Sequence, residues 1–123
     1  MDKHAQDALQ RDLTIDITTT GGRTGRPRRI EIWFHRVEGR YFLTGVPGPR
    51  DWYANLLANP RFTVHLKESA TADLPATAVA ITDPAQKRRI LLAATTVWNR
   101  PDEHTVDRWV RHSPLVEILF DDP

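Results

Sequence analysis

The 123 residues carry a formal net charge of +1, with 40% hydrophobic and 27% charged side chains. This balance fits one globular domain over residues 1–123 and excludes a protein with a basic field over its whole surface, as a general nucleic-acid binder would need. The absence of cysteine removes disulfides, thiolate metal sites and cysteine nucleophiles together and fits the cytoplasm, while no apolar run is long enough to span a bilayer.

The opening Met1–Asp12 stretch mixes charges, lacks the apolar core of a signal peptide, and has helical composition over residues 3–11. Leu13, Ile15 and Ile17 alternate with Thr14, Asp16 and Thr18, the two-residue period of a half-buried strand that closes on Thr19 and Thr20. Gly21-Gly22-Arg23-Thr24-Gly25-Arg26-Pro27 breaks regular structure and reads as a functional loop. Ile30, Ile32 and Phe34 alternate with Glu31, Trp33 and His35 in a second strand, and Glu38-Gly39 turns into a third, Tyr41 to Gly45.

Two prolines make Val46 to Arg50 a loop, after which Asp51 suits the N-cap of a short helix from Trp52 to Leu57, ended by Asn59-Pro60. Arg61 to Lys67 alternates as a fourth strand, and Ala76 to Ile81 follows as a fifth after a polar turn. Asp83-Pro84 opens a helix whose apolar stripe takes in Ile90, Leu91, Leu92 and Val97, a further helix covers Glu103 to Arg111, and Leu115 to Phe120 is the last strand. Six strands with one short inserted helix and late helices predict a mainly β (α+β), antiparallel barrel with an N-terminal helix and peripheral C-terminal helices, rather than a doubly wound α/β sheet.

Arg23, Arg26, Arg28 and Arg29 fall within seven residues of a chain whose charge is otherwise balanced. In an extended stretch after Pro27, side chains alternate, so Arg28 and Arg29 point opposite ways, and Arg28 is the better partner for Arg23 at a common anion. Guanidinium groups match phosphate oxygens with paired donors, and a glycine-rich turn adds backbone N–H groups. The alternatives are a solvated basic turn and a minor-groove arm for A·T-rich DNA, the latter disfavoured because strands bracket the segment, and no nucleic-acid partner is expected. On the following helix Trp52, Asn55, Leu56 and Asn59 share one face and Tyr53 and Leu57 the next, so Trp52 and Tyr53 can wall a planar ligand, or Trp52 and Leu56 can plug the barrel.

Thr18 through Arg28, an aromatic strand, then Trp52-Tyr53-x-Asn55-Leu56 and Asn59-Pro60 resemble the deazaflavin-dependent nitroreductase family, whose members share the split β-barrel of flavin-binding, pyridoxamine-phosphate-oxidase-like proteins. The similarity is specific from about Asp12 to Lys67. The resemblance implies reduced coenzyme F-420, an 8-hydroxy-5-deazaflavin, held by its phosphate at the glycine-rich loop. On it, Arg23 stands where the family commonly has lysine, Thr24 and Gly25 lie beside the phosphate, and Arg28 is the second cation. Trp52 and Asn55 match the cofactor-facing aromatic and amide, and Thr44 and Gly45 fall where small residues meet the ring system. The stretch before the tryptophan motif is shorter than in many members, and the substrate-lining tyrosines of the best-known nitroreductases have no counterparts near residues 98–104.

His35 and His65 lack partners at metal-ligand spacing, no metal is expected, and no nucleophile elbow is visible. Asp102, Glu103 and His104 are what a helix start calls for. Hydride transfer needs no such machinery from the protein, because the cofactor supplies the reactive atom. The implied reaction passes a hydride to an electron-poor quinone, enone or nitro compound, with solvent or Tyr53 as the candidate proton source. FMN on the same barrel, or a non-catalytic barrel for a cofactor, lipid or tetrapyrrole, is the alternative. Exposed strand aromatics such as Trp33 are compatible with a homodimer.

Overall fold

The computed structural model describes residues 1–94 and 102–122. Among them, β1 (Thr14–Thr20), β2 (Pro27–Val37), β3 (Arg40–Thr44), β4 (Arg61–Leu66), β5 (Ala72–Ala80) and β6 (Leu115–Phe120) close into an antiparallel barrel in the order β1-β2-β3-β6-β5-β4. The helices are α1 (Lys3–Arg11), α2 (Asp51–Ala58), α3 (Pro84–Ala94) and α4 (Glu103–His112). This is the α+β barrel that the alternating strands predict.

Alternation sets which residues fill the barrel. Ile15 and Ile17 are fully buried, and Ile15 faces Ile32 across β1–β2 while Leu43 faces Val116 across β3–β6. Both central residues of the Glu38-Gly39 turn have positive φ, 55° and 74°, the geometry whose twist matches a tight hairpin. A second apolar cluster joins Ile90 and Leu91 of α3 to Val37, Phe42 and Leu115, so α3 and α4 cover one end of the barrel wall. Val97, expected on that stripe, lies outside the described residues.

Several boundaries differ from expectation. β2 begins at Pro27, three residues before Ile30, so Arg28 and Arg29 are strand residues paired with Thr19 and Thr18. Ile30 is 37% exposed because this end of β2 runs past the packed core. β5 begins at Ala72, four residues early: Asp73 and Pro75 suggest a turn, but pairing with His65 and Thr63 of β4 overrides that local preference. The N-cap of α2 is Arg50, without a side-chain cap bond, and Asp51 is the first helical residue. There its carboxylate complements the positive helix end through charge rather than as a cap. Trp33, at 53% exposure, and Leu13, at 51%, lie on the outer wall.

Candidate functional site

The loop between β1 and β2 folds back on itself. Gly21 N–H donates to the Arg26 carbonyl at 2.8 Å, Gly25 N–H donates to the Gly21 carbonyl at 2.9 Å, and Arg26 N–H donates to Thr24 Oγ1 at 3.2 Å. The turn depends on glycine at two points. A Cβ on Gly21 would lie 2.6 Å from Thr24 Oγ1, and Gly25 has a φ of +67°, where other residues are strained.

Strand alternation then divides the arginines. Arg29 leaves the barrel on the outer side, where its Nε meets Asp16 Oδ2 at 2.9 Å, and Lys67 Nζ closes on Asp16 Oδ1 at 2.6 Å in an ionic contact that lacks hydrogen-bond geometry. The Lys67 ammonium, and after it Arg29, outweighs desolvation and holds the Asp16 carboxyl below its usual range. Arg28 emerges on the opposite side, beside buried Thr19. With Arg23 it lines a cleft of about 470 Å³ bounded by Gly21, Gly22 and Thr24 of the loop and by Asp51, Ala54 and Asn55 of α2. Neither Arg23 nor Arg28 forms an ion pair among the described residues, and Arg26 lies outside the cleft lining.

Helix α2 holds this cleft in shape. Its apolar side, Trp52 and Leu56, enters the main core at 8% and 2% exposure. Its polar side reaches the rim. Asn55 Oδ1 accepts from Gly22 N–H at 3.2 Å, Asn55 Nδ2 donates to Thr19 Oγ1 at 3.1 Å, and Asn59 Nδ2 reaches the Thr20 carbonyl at 3.4 Å. The spacing that puts Trp52 and Asn55 on one face is right about the helix, but the barrel rim splits that face into a buried half and a polar half.

The structure therefore brings Arg23, Thr24, Arg28 and Asn55 together at one cleft, with Gly25 completing its turn. Trp52 is not at the surface of that cleft. It underlies it, meeting the half-buried Tyr53 edge-on with ring centroids 5.9 Å apart. Thr44 and Gly45 lie elsewhere, where Thr44 Oγ1 donates to the Pro114 carbonyl at 2.6 Å and Gly45 backs onto Arg50.

Next to them, sharing Pro114, a second cleft of about 460 Å³ opens on the other flank of α2. Tyr53 and the Pro47–Pro49 loop form one side, and Lys87 of α3 with Arg108, Arg111 and His112 of α4 the other. Gly48, at a φ of +128°, donates its N–H to the His112 carbonyl at 3.1 Å and ties the loop to the end of α4. None of these basic residues was singled out from sequence. Their only local signal is ordinary, since Arg111 and His112 are the cations expected in the last turn of a helix.

A closed six-stranded antiparallel barrel with one short inserted helix is a split β-barrel. Residues 4–112 match the F420H(2)-dependent quinone reductase family, and the chain belongs to that family. It is thus an oxidoreductase whose cofactor is F420. The fold is also similar to solved structures at low identity. A conserved hypothetical protein of Mycobacterium tuberculosis matches with a TM-score of 0.74 at 19% identity over 98% of this chain and 81% of the other. An F420 reductase matches with a TM-score of 0.63 at 17% identity, over 98% and 94%. The heme storage protein HutZ of Vibrio cholerae gives 0.66 at 14%, over 97% and 89%. At these identities the likeness concerns the fold.

The lining of the first cleft has the chemistry a phosphate group needs. Its donors are two guanidinium groups without counter-ions, and its glycines leave the backbone open where a side chain would crowd Thr24.

Proposed function

We propose that the chain acts as a single-domain reductase in the cytoplasm, using F420H2 to reduce a small electron-poor acceptor of the quinone, enone or nitro class. The observation that carries this reading is the convergence of Arg23 and Arg28, both without ion-pair partners, on one glycine-walled cleft beside α2. Bound there, the reduced cofactor would supply the hydride, and a quinone that took it up with a proton delivered through Tyr53 would become the hydroquinone, the proton lost by the cofactor replacing the one Tyr53 gives.

The residues divide the remaining work. Arg23 and Arg28 hold the phosphate as a pair of forked donors, with Thr24 beside it. Asn55 acts through the loop: by bonding Gly22 and Thr19 it fixes where Arg23 and the loop backbone stand, so it is a positioning residue. Trp52 supports the cleft from the core. Thr44 and Gly45, beside Pro114, form the small-residue border for the cofactor's ring system. Tyr53, half-buried and facing the second cleft, is the candidate proton donor to the acceptor.

The test is a fluorescence titration with F420, FMN and haem. Arg23→Ala with Arg28→Ala weakens F420 binding by on the order of a few kcal/mol, because two charge-assisted contacts are lost. Unchanged affinity in a folded double variant would remove both arginines from the site, and tighter binding of FMN or haem than of F420 would replace the cofactor assignment.

A further inference from the structure

The second cleft has a chemistry of its own. Its lining brings together Lys87, Arg108, Arg111 and His112 and includes no carboxylate. None of the four makes a side-chain hydrogen bond or ion pair among the described residues, although neighbouring Arg88 is satisfied by Asp107 at 2.7 Å and Glu103 at 3.1 Å. Both acids of α4 are thus paired with Arg88, in a neighbouring cleft whose lining Arg111 shares. Burial pulls the Lys87 ammonium below its ordinary value, which is the response of a cation packed without a counter-charge. Ser113, 4% exposed, adds a hydroxyl to the lining. The helix dipole explains Arg111 and His112 at the end of α4, but it gives no reason for Arg108 a turn earlier or for Lys87 on a different helix. Like charges gathered in a concavity repel one another and raise the local concentration of anions.

We propose that this cleft recognises acceptors that carry a carboxylate, with Lys87, Arg108 and Arg111 binding the acid group while the reducible part of the molecule lies toward Tyr53. The proposal rests on the reductase reading above, and it adds the acceptor's charge. A carboxylate held in a forked guanidinium also orients the acceptor, so the selectivity shows as turnover and not only as affinity.

The experiment compares two naphthoquinones of the same ring, one bearing a carboxylate and one neutral, with F420H2 as donor. In the unaltered protein kcat/KM favours the carboxylated quinone, and the preference shrinks as salt is raised because exposed charges are screened. Arg108→Gln with Arg111→Gln lowers the ratio of the two kcat/KM values by about tenfold or more, corresponding to about 1.4 kcal/mol. Charge reversal, Arg108→Glu with Arg111→Glu, lowers it further. An equal loss for both quinones, or no preference in the unaltered protein, overturns the proposal. A drop in F420 affinity of the same size in these variants also overturns it, since the cations would then serve the cofactor. If F420 binds and neither quinone is turned over, the reductase reading fails instead. The charge question is then decided by calorimetric titration of each quinone: carboxylate binding that the Gln variants abolish keeps the anion site, and its absence ends it.

Discussion

The outer wall of the barrel and its mouth treat the same side chain in opposite ways. On the wall and the outer helices, Arg29, Arg40, Arg61, Lys67, Arg88 and Arg89 each meet a carboxylate. On the two flanks of α2, Arg23, Arg28, Lys87, Arg108 and Arg111 meet none among the described residues. Among the same residues Lys3, Arg11 and Arg26 also meet no carboxylate, but they lie outside both clefts, and Arg36 and Arg50 are bonded to backbone carbonyls. The difference teaches that charge in this chain is neutralised on the wall and the outer helices and left unpaired in the two clefts that flank α2. Adjacent residues can fall on either side of that division, as Arg28 and Arg29 do.

The contrast can be broken at the mouth first. Asn55→Ala removes both hydrogen bonds that fix the loop, and at about 1 kcal/mol each it weakens F420 binding by about 2 kcal/mol in a fluorescence titration. A loss equal to that of the arginine double variant would make Asn55 a direct ligand rather than a positioning residue.

On the wall, the matching change is Asp16→Asn. It strips Arg29 and Lys67 of their shared partner and costs about 1 kcal/mol of folding stability in denaturant, with F420 affinity kept. The pH dependence follows from the lowered carboxyl. Because the folded value lies below the ordinary 3.8, Asp16 contributes its stability fully above that value and loses it as pH falls through the folded one. Acid titrations of the two proteins should therefore converge below pH 3.8, and parallel curves would show that the pair contributes nothing.

Smaller effects sharpen the comparison. Asp51 is the one carboxylate lining the first cleft, and Asp51→Asn removes its negative charge from the proposed phosphate site. F420 binding then tightens by about 0.5 kcal/mol, while the helix loses a similar favourable contact with its own dipole. Arg29→Ala is the control. Although it deletes an arginine from the same cluster of four, its effect on F420 affinity is within about 0.3 kcal/mol, because its charge is spent on the outer wall.

Much of this arrangement was legible along the chain. Alternation around Ile15, Ile17 and Val64 identifies strands, Asp83-Pro84 marks a helix start, and extended geometry after Pro27 separates Arg28 from Arg29. Trp52 was less readable, since a motif places it on α2 and helical spacing gives its neighbours, but only the barrel rim decides which half of that face is buried. The second cleft was not readable at all. Its parts come from residues 47–53, 87 and 108–114, and they meet because β6 pairs with β3 across the closed barrel. Closure is a long-range event, and no local pattern around Lys87 or Arg108 announces it.

Helix α2 is a party wall: one flank contributes Asp51 and Asn55 to the first cleft, the other contributes Tyr53 to the second, and Trp52 anchors it between them. A tenant on one side that tilts the helix alters the room on the other. Thermodynamic reciprocity requires that whatever factor the cofactor imposes on acceptor affinity, the acceptor imposes on cofactor affinity. If both clefts bind as proposed, the eight residues Asp51–Ala58 are the element through which such a factor would pass.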